Sequence, residues 1–293
     1  MTEINECPLC GSKNFKEYLK VKDHSISKED FTIKKCNECG LRMTSPRPDD
    51  KDLTKYYESE DYISHSDTKK GLINRLYHFV KHITIKQKQD LIAKLSKGKT
   101  LLDIGCGTGD FLIYCKEKGW RVSGLEPDPN ARKRAEEKGL NEVADLPKFY
   151  DLNPGSYDVI TMWHVMEHVA DLNAYFKQLH LLLKDKGHLI IAVPNPDSPD
   201  ALKYKEYWAA LDVPRHLFHF SKQNLKDLAS KHHFKLELIK PMLFDSFYVS
   251  MLSEKYKGGS FLNATINGLF SNLKALKTKN HSSLIYILSK NAK

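Results

Sequence analysis

Short apolar runs alternate with amphipathic segments from residue 99 onward. The apolar runs cover residues 100–104, 121–125, 157–163, 188–193, 234–239 and 283–288, and each has the length of a buried strand. Helical periodicity covers residues 110–118, 130–138, 172–183 and 221–231, and Ser221 is a favourable N-cap for the last of these. Strands that alternate with helices at this spacing predict an α/β fold with a doubly wound, mostly parallel sheet.

The segment 69–97 has the pattern of a basic amphipathic helix. Its apolar stripe includes Leu72, Leu76 and Phe79, and its eight basic side chains accompany a single acid, Asp90. Such a face is either solvated or a binding surface for phosphate groups. The composition shifts divide the chain into residues 1–48, a linker and helical lid at 49–98, and a main domain at 99–293 with a helical insertion at about 245–280.

Four of the six cysteines form two short pairs. Cys7 and Cys10 are separated by two residues, as are Cys36 and Cys39, and a glycine follows each pair. Four thiolates from two such turns can complete a closed tetrahedral zinc site, which is typical of a structural metal. Two disulfides and a redox dithiol are the rival interpretations. The spacing predicts a zinc ribbon over residues 1–48, with short strands at 18–21 and 30–35.

Composition and charge limit the class of protein. The chain has 293 residues, 41% of them hydrophobic, and 46 basic against 37 acidic side chains give a net charge of +9. This composition excludes an intrinsically disordered chain. Because the first residues lack a signal-peptide pattern and no apolar run approaches the ~18 residues of a membrane span, we expect a cytoplasmic protein without a membrane partner. The oligomeric state is not predicted by the sequence.

A glycine-rich loop follows the first strand of the main domain. Asp103 ends the strand, and Gly105, Gly107 and Gly109 come next, whereas Asp110 stands where a dinucleotide fingerprint has its third glycine. Such a loop allows close backbone approach to a ligand, and the adjacent acid suits an ammonium group better than a pyrophosphate. Glu126 ends the second strand, where an acidic side chain can bind a ribose diol.

At these residues the sequence resembles the class I S-adenosylmethionine-dependent methyltransferases, from about residue 100 to residue 288. The resemblance implies a Rossmann-like, seven-stranded sheet. It also implies that Asp103 and the glycine loop hold the methionine moiety and that Glu126 holds the ribose hydroxyls. By the same resemblance Asp145 and Leu146 lie at the adenine edge, and Trp163 and His164 lie near the methyl group.

Two histidine-rich stretches are candidates for the chemistry. The stretch from His164 to His168 matches an inverted zinc-protease pattern, but that pattern requires a long helix and here it follows a strand. His168 or Glu167 is therefore expected to face the cofactor or the substrate. His216 lies in a loop between the predicted strand at 188–193 and the predicted helix at 221–231, where it can act as general base or substrate anchor.

The zinc ribbon and His216 together resemble sugar C-methyltransferases, which have an acidic residue before this histidine; Arg215 occupies that position here. The sequence also resembles ubiquinone-type methyltransferases. We therefore expect an S-adenosylmethionine-dependent methyltransferase that acts on a small sugar-like or quinone-like acceptor, with structural Zn²⁺. An RNA methyltransferase with a zinc-ribbon module is the alternative, and a non-catalytic cofactor-binding module is the second alternative.

Overall fold

The structure is a computed structural model that describes residues 1–49, 52, 54–57 and 72–291. Its main body is a seven-stranded sheet in the order β10-β11-β8-β7-β4-β5-β6. Strands β4 to β8 run parallel, and β11 lies antiparallel between β10 and β8. The predicted Rossmann-like seven-stranded sheet is confirmed. The strands are β4 (Thr100–Ile104), β5 (Arg121–Leu125), β6 (Val143–Ala144), β7 (Tyr157–Trp163), β8 (Leu183–Pro194), β10 (Phe234–Met242) and β11 (Ser283–Lys290).

Helices cover both faces of this sheet. Apolar side chains from the helices and from both sheet faces form two buried clusters, one on each side of the parallel strands. Ser221 caps its helix by accepting a hydrogen bond from the Asn224 backbone, as the sequence predicted. The helices are α1 (Leu72–Leu95), α2 (Asp110–Glu117), α3 (Pro129–Glu137), α4 (Leu172–Leu182), α5 (Pro199–Tyr204), α6 (Lys222–Lys231), α7 (Asp245–Lys257) and α8 (Phe261–Thr278).

The N-terminal residues form a second, antiparallel sheet in the order β1-β2-β3-β9. Strands β1 (Phe15–Lys22), β2 (Asp30–Cys36) and β3 (Arg42–Thr44) come from the ribbon, whereas β9 (Phe218–His219) belongs to the main body. Met43 pairs with Phe218 and Arg42 pairs with His219. Side chains of the ribbon also enter the same buried cluster as the main sheet. The ribbon is therefore continuous with the main body through β9.

Two helices, α7 and α8, stand between β10 and β11, at the position of the expected insertion. Within the basic segment 69–97, the structure describes residues 72–97, which include α1. Residues 58–71, which hold the start of that segment, lie outside the described residues. None of the described helices has the length and apolar character needed to cross a bilayer.

Candidate functional site

The glycine loop joins β4 to α2 at the carboxyl edge of the parallel strands. Gly105, Gly107 and Gly109 have φ angles of 70°, 55° and 77°, which glycine adopts without strain. A Cβ at Gly105 would lie 2.4 Å from Val165, and one at Gly109 would lie 2.5 Å from Leu140. A Cβ at Gly107 would meet no atom within 4 Å. The loop is thus packed at both ends and open in the middle, where a ligand can approach the backbone.

Two buried carboxylates flank this loop. Glu126 accepts hydrogen bonds from the Gly107 amide at 2.8 Å and the Asp128 amide at 3.0 Å. Asp103 accepts a 2.6 Å hydrogen bond from the Thr161 hydroxyl. Burial raises the pKa of Asp103 to about 7, against the opposing attraction of Lys88, and burial also raises the pKa of Glu126. The charged forms of both acids are therefore destabilised, and a cationic ligand would restore them.

Asp145 and Leu146 lie after β6, beyond the strand that ends beside Glu126. The Asp145 carboxylate accepts a hydrogen bond from the Leu146 amide at 2.7 Å and pairs with Arg132 at 3.2 Å. Arg132 also donates to the Glu126 carbonyl at 2.6 Å. The structure therefore links Asp145 to Glu126 through one guanidinium group.

Trp163 ends β7, which pairs with β4, and His164 follows it. The Lys88 ammonium, on α1, lies 4.3 Å from the centre of the Trp163 ring. Burial lowers the pKa of Lys88, whereas Asp103 and Asp245 oppose this shift. The Lys88 amine therefore lies near enough to Asp103 and Asp245 for their negative charges to act on it.

His164 bridges two carboxylates in a left-handed backbone conformation with a φ of 58°. Its Nε2 atom lies 2.9 Å from Asp245 and its Nδ1 atom lies 3.3 Å from Glu167. Burial disfavours the charged imidazole, but the hydrogen bond to Asp245 and the ion pair with Glu167 prevail and raise the pKa of His164 to about 10. His164 is therefore an imidazolium at neutral pH and is unsuited to accept a proton.

His216 and His168 contact each other edge to face, with ring centres 4.7 Å apart. The Nδ1 atom of His216 lies 2.9 Å from the Ala210 carbonyl, and that of His168 lies 3.0 Å from the Arg215 carbonyl. Because a carbonyl oxygen only accepts, both Nδ1 atoms carry the proton, and a neutral ring has its lone pair on Nε2. Burial and the nearby His216 lower the pKa of His168 to about 4, so His168 is neutral.

The Nε2 atom of His216 faces two acids, Asp212 at 3.9 Å and Glu167 at 4.0 Å. Burial opposes ionisation of both, but Arg215 lowers the pKa of Asp212 and His164 lowers that of Glu167. Neither carboxylate oxygen of Glu167 has a hydrogen-bond partner among the described residues. Ligand atoms of Glu167, His168 and His216 lie within 4.8 Å of one another, so this group can also hold a cation. His216 is buried rather than placed on an open loop.

Arg215 is fully buried beside this group. Its guanidinium pairs with Asp212 at 2.7 Å and with Asp23 of the ribbon at 3.0 Å. The position that is acidic in sugar C-methyltransferases therefore holds a structural arginine here, and the acids near His216 are Asp212 and Glu167 instead.

The four ribbon cysteines converge on one point. The Sγ atoms of Cys7 and Cys39 lie 3.5 Å apart and those of Cys10 and Cys36 lie 3.6 Å apart. All four side chains are free thiols, and one ligand atom from each lies within 4.8 Å of the others. Tetrahedral zinc with Zn–S bonds of about 2.3 Å separates its sulfurs by ~3.8 Å, so the donor set and its spacing fit Zn²⁺.

Sequence reasoning missed Lys88, Asp245 and Asp212 as members of the site. Lys88 carried a detectable signal, since it follows Ile85 by three residues and precedes Ile92 by four, and it therefore lies on the buried stripe of α1. Asp245 carried none, because it begins a helix of the insertion. Asp212 was quoted as part of the His216 loop but was given no role.

Comparisons with known proteins agree with this geometry. A family model described as a methyltransferase domain matches residues 76–239, which is more than half of the chain. A ubiquinone biosynthesis O-methyltransferase of Serratia proteamaculans is 35% identical over 105 residues, and that of Pectobacterium carotovorum is 34% identical. Each match covers 33% of this chain, and the chain spans only 43% and 44% of those relatives.

Solved structures share the fold at low sequence identity. An S-adenosylmethionine-dependent methyltransferase from Archaeoglobus fulgidus aligns with a TM-score of 0.50 and 22% identity over 71% of this chain and 94% of its own. A geranyl diphosphate C-methyltransferase from Streptomyces coelicolor aligns with a TM-score of 0.52 and 14% identity over 77% and 88%. With its glycine loop, its seven-stranded sheet and a family model that spans more than half of it, the chain belongs to the methyltransferase domain family, in the class I group that uses S-adenosylmethionine.

Proposed function

We propose that this protein transfers a methyl group from S-adenosylmethionine to a small-molecule acceptor. The observation that carries the proposal is the placement of Glu126, whose carboxylate lies under the open centre of the glycine loop and binds the Gly107 amide. Gly107 leaves backbone accessible there, and Asp103 supplies a second buried acid. The donor set fits a ligand that carries both a cationic group and a ribose diol.

The residues that would hold the cofactor follow from this placement. Asp103 and the glycine loop would hold the amino acid part, Glu126 the ribose hydroxyls, and Asp145 with Leu146 the adenine edge. Trp163 and His164 would flank the methyl group. When bound, S-adenosylmethionine supplies a sulfonium methyl, which a nucleophilic oxygen, nitrogen or carbon of the acceptor takes in line as the carbon–sulfur bond breaks and S-adenosylhomocysteine leaves.

His216 is the group best placed to remove the acceptor's proton. Its Nδ1 proton is held by the Ala210 carbonyl, so Nε2 keeps a lone pair. Asp212 and Glu167, both near 4 Å from Nε2, stabilise the imidazolium that forms. His168 stays neutral and orients the ring by edge-to-face packing. The catalytic step therefore needs a neutral His216 beside two ionised acids.

Two features favour a small acceptor over RNA. A cleft beside Asp212 is lined by polar and apolar side chains of the ribbon, of α7 and of the segment before His216, among them His24, Trp208 and Tyr256. On α1, Lys81 pairs with Asp110 and Lys86 pairs with Asp90, at 2.7 and 2.6 Å. Lys88 faces Trp163. Three lysines of the basic helix are thus engaged within the protein, which leaves fewer for phosphates. The names of the ubiquinone biosynthesis O-methyltransferase relatives support a quinone-like acceptor, and the resemblance to sugar C-methyltransferases supports a sugar-like one.

We further propose that Cys7, Cys10, Cys36 and Cys39 hold one structural Zn²⁺. A closed set of four thiolates offers no open coordination position, so this ion would hold the ribbon together and take no part in the transfer.

Calorimetric titration with S-adenosylmethionine tests the cofactor site. A charge-assisted hydrogen bond contributes about 1.5–3 kcal/mol, so Glu126→Ala should weaken binding at least about tenfold. The matched control is Glu142→Ala, since Glu142 is half-exposed and pairs with Lys116 on the surface. Equal affinity of the wild type and Glu126→Ala would contradict the assignment.

Transfer of label from methyl-labelled cofactor to cell extract tests the acceptor class. The proposal expects the label in the small-molecule fraction, and label in RNA would favour the alternative. Binding of S-adenosylmethionine without transfer to any fraction would favour the non-catalytic module.

A further inference from the structure

Helix α8 has its polarity inverted. Its large apolar side chains face outward, whereas its inward face consists of small or polar residues. A helix that packs on a protein core normally shows the opposite arrangement. The inward residues are Ala264, Asn267, Gly268, Ser271 and Ala275. The exposed ones, between 45% and 69% accessible, are Phe261, Leu262, Ile266, Leu269, Phe270, Leu273 and Leu276.

The inward face of α8 is fixed in place by specific contacts. Gly268 packs so closely on α7 that a Cβ there would lie 2.9 Å from the Cα of Phe247. Asn267 donates 2.8 Å hydrogen bonds to Tyr204 and Glu254. Rotation of the helix to bury its apolar side would break these buried hydrogen bonds and bring side chains against a backbone. The outward orientation of the apolar side chains is therefore a built feature of the fold.

The exposed apolar surface continues onto α7 and the residues before it. Met251, in the middle of α7, and Phe244, just before the helix, are each 37% exposed, and Leu243 is 50% exposed. A contiguous apolar surface of this kind is rare on a protein that works alone in water and marks an interaction site. We call the exposed side chains of Leu243, Phe244, Met251 and the seven apolar residues of α8 the outer apolar face.

The exposed charged side chains of α7, of α8 and of the residue after α8 are all positive. Of the two acids in residues 241–293, Asp245 bonds to His164 and Glu254 is buried against Tyr204. Neither contributes charge to the surface. The exposed charged residues of α7, α8 and the residue after α8 are Lys255, Lys257, Lys274, Lys277 and Lys279.

We propose that the outer apolar face docks this protein onto an anionic lipid bilayer surface. An apolar helix face with flanking lysines lies in the membrane interface, with apolar side chains among the acyl chains and the ammonium groups among acidic headgroups. A second copy of the chain would bring two sets of lysines against each other, so the charge favours a lipid surface over self-association. The sequence alone led us to expect no membrane partner, because the inversion of α8 is visible only once its packing on α7 is known.

Docking would place the candidate site close to the bilayer. Helix α7 begins at Asp245, which bonds to His164, so the outer apolar face and the site share one helix. The docking inference goes beyond the proposed transfer reaction and does not depend on it.

Vesicle flotation of the full-length protein tests docking. The protein should float with vesicles of phosphatidylcholine that contain about one-third phosphatidylglycerol, and much less with phosphatidylcholine alone. Leu269→Asn/Leu273→Asn should reduce the partition coefficient at least about tenfold, because the variant loses two apolar side chains that the bilayer would bury. Lys274→Glu/Lys277→Glu should reduce it by about fivefold or more for each lysine. The matched control is Leu181→Asn, on α4, where a leucine is 49% exposed outside the face.

Three results would overturn docking. The wild type could fail to float with either vesicle, or Leu181→Asn could lose as much binding as the double leucine variant. Light scattering could also show a wild-type dimer that Leu269→Asn/Leu273→Asn converts to a monomer, which would assign the face to a second copy. Thermal unfolding and calorimetric binding of S-adenosylmethionine by each variant confirm that the fold is intact, since none of these substitutions touches the cofactor loop.

Discussion

The Arg215 guanidinium lies 3.0 Å from a carboxylate oxygen of Asp23 and joins the ribbon to the loop that carries His216. Both side chains are fully buried, and the same guanidinium binds Asp212 and the Tyr56 carbonyl. The ribbon is therefore part of the wall of the candidate site. The neighbouring β3–β9 pairing holds the same loop from its other end.

Asp23→Asn should destabilise the protein by about 3–5 kcal/mol at neutral pH, because it leaves a buried guanidinium without one of its partners. Burial opposes ionisation of Asp23, but Arg215 lowers its pKa below the ordinary value of 3.8. An acid with a lowered folded-state pKa stabilises the fold above its unfolded value, and this stabilisation disappears as the pH falls through the folded value. The difference in unfolding free energy between wild type and Asp23→Asn should therefore be full above about pH 4 and shrink in stronger acid.

Urea unfolding at several pH values measures this difference. Asp185→Asn is the matched control, since Asp185 is fully exposed and its pair with Lys290 spans 3.7 Å. A loss as small as that of the control, or one that stays constant down to strong acid, would contradict the role of the Asp23–Arg215 pair.

Cys36→Ser should release the zinc and loosen the loop around His216 as well as the ribbon. Thr44, in β3, donates its hydroxyl to the His216 carbonyl at 2.7 Å and its amide to the Leu217 carbonyl. Cys36 itself is buried in the cluster that contains Phe218. Loss of the metal removes the constraint that folds these residues together, so amide exchange across residues 216–219 should accelerate.

Metal analysis and hydrogen exchange together check this result. Cys106→Ser replaces a half-buried cysteine that is not one of the four ribbon cysteines, and this variant should retain one zinc per chain. A Cys36→Ser protein that keeps its zinc, or that loses it with unchanged exchange at residues 216–219, would contradict the coupling.

The sequence was sufficient for the elements whose signals are local. The apolar strand before Gly105 and the serine before α6 depend on neighbours a few residues away, and both lie as predicted. The structure places Glu126 under the glycine loop because strand order alone brings the end of β5 beside that of β4. The resemblance supplied this residue's role, which stays a prediction.

Contacts between distant segments were beyond the sequence. Asp245 reaches His164 across 81 residues, and Asp23 reaches Arg215 across 192. Nothing near either acid in the chain indicates its partner, because the pairing depends on how α7 and the ribbon pack. The fourth strand of the ribbon sheet was missed for the same reason: β9 has two residues, too few for a periodic pattern.

Asp245→Asn should remove a stabilising interaction that the wild type loses progressively as the pH rises above about 6.5. The pKa of His164 is about 10, because Asp245 and Glu167 prevail over burial. A histidine with a raised folded-state pKa contributes its full stabilisation below its unfolded value of about 6.5 and loses it as the pH rises towards the folded value. The wild type should therefore lose stability between about pH 6.5 and pH 10, and Asp245→Asn should start lower and change less over this range.

Melting temperatures across this pH range check the His164–Asp245 pair. Chemical shifts of the His164 ring provide a direct second measurement, since its titration should move to lower pH in Asp245→Asn. A wild-type His164 that titrates near its ordinary value would show that the pair is not charged.

His216→Ala should slow turnover by about 10²-fold or more and leave affinity for S-adenosylmethionine within a few-fold, because general-base help is typically worth about 10²–10⁴-fold. The buried hydrogen bond from Nδ1 to the Ala210 carbonyl will also be lost, so rates must be given per folded molecule. His188→Gln is the matched control. His188 lies on β8 beside Val159, four residues before the end of β7, and is therefore outside the site at that end of the strand.

His216→Gln separates proton removal from anchoring. Its amide can donate to the Ala210 carbonyl as the imidazole does, but it cannot accept the acceptor's proton. If Nε2 is the base, His216→Gln should be nearly as slow as His216→Ala, and Asp212→Asn should slow turnover as well, because one of the two acids near the forming imidazolium loses its charge. If His216 only anchors the acceptor, His216→Gln should recover most of the wild-type rate with a raised KM. If the ring only packs on His168, all three variants should lose melting temperature and keep their rate per folded molecule, and the assignment of His216 as the base would then be wrong.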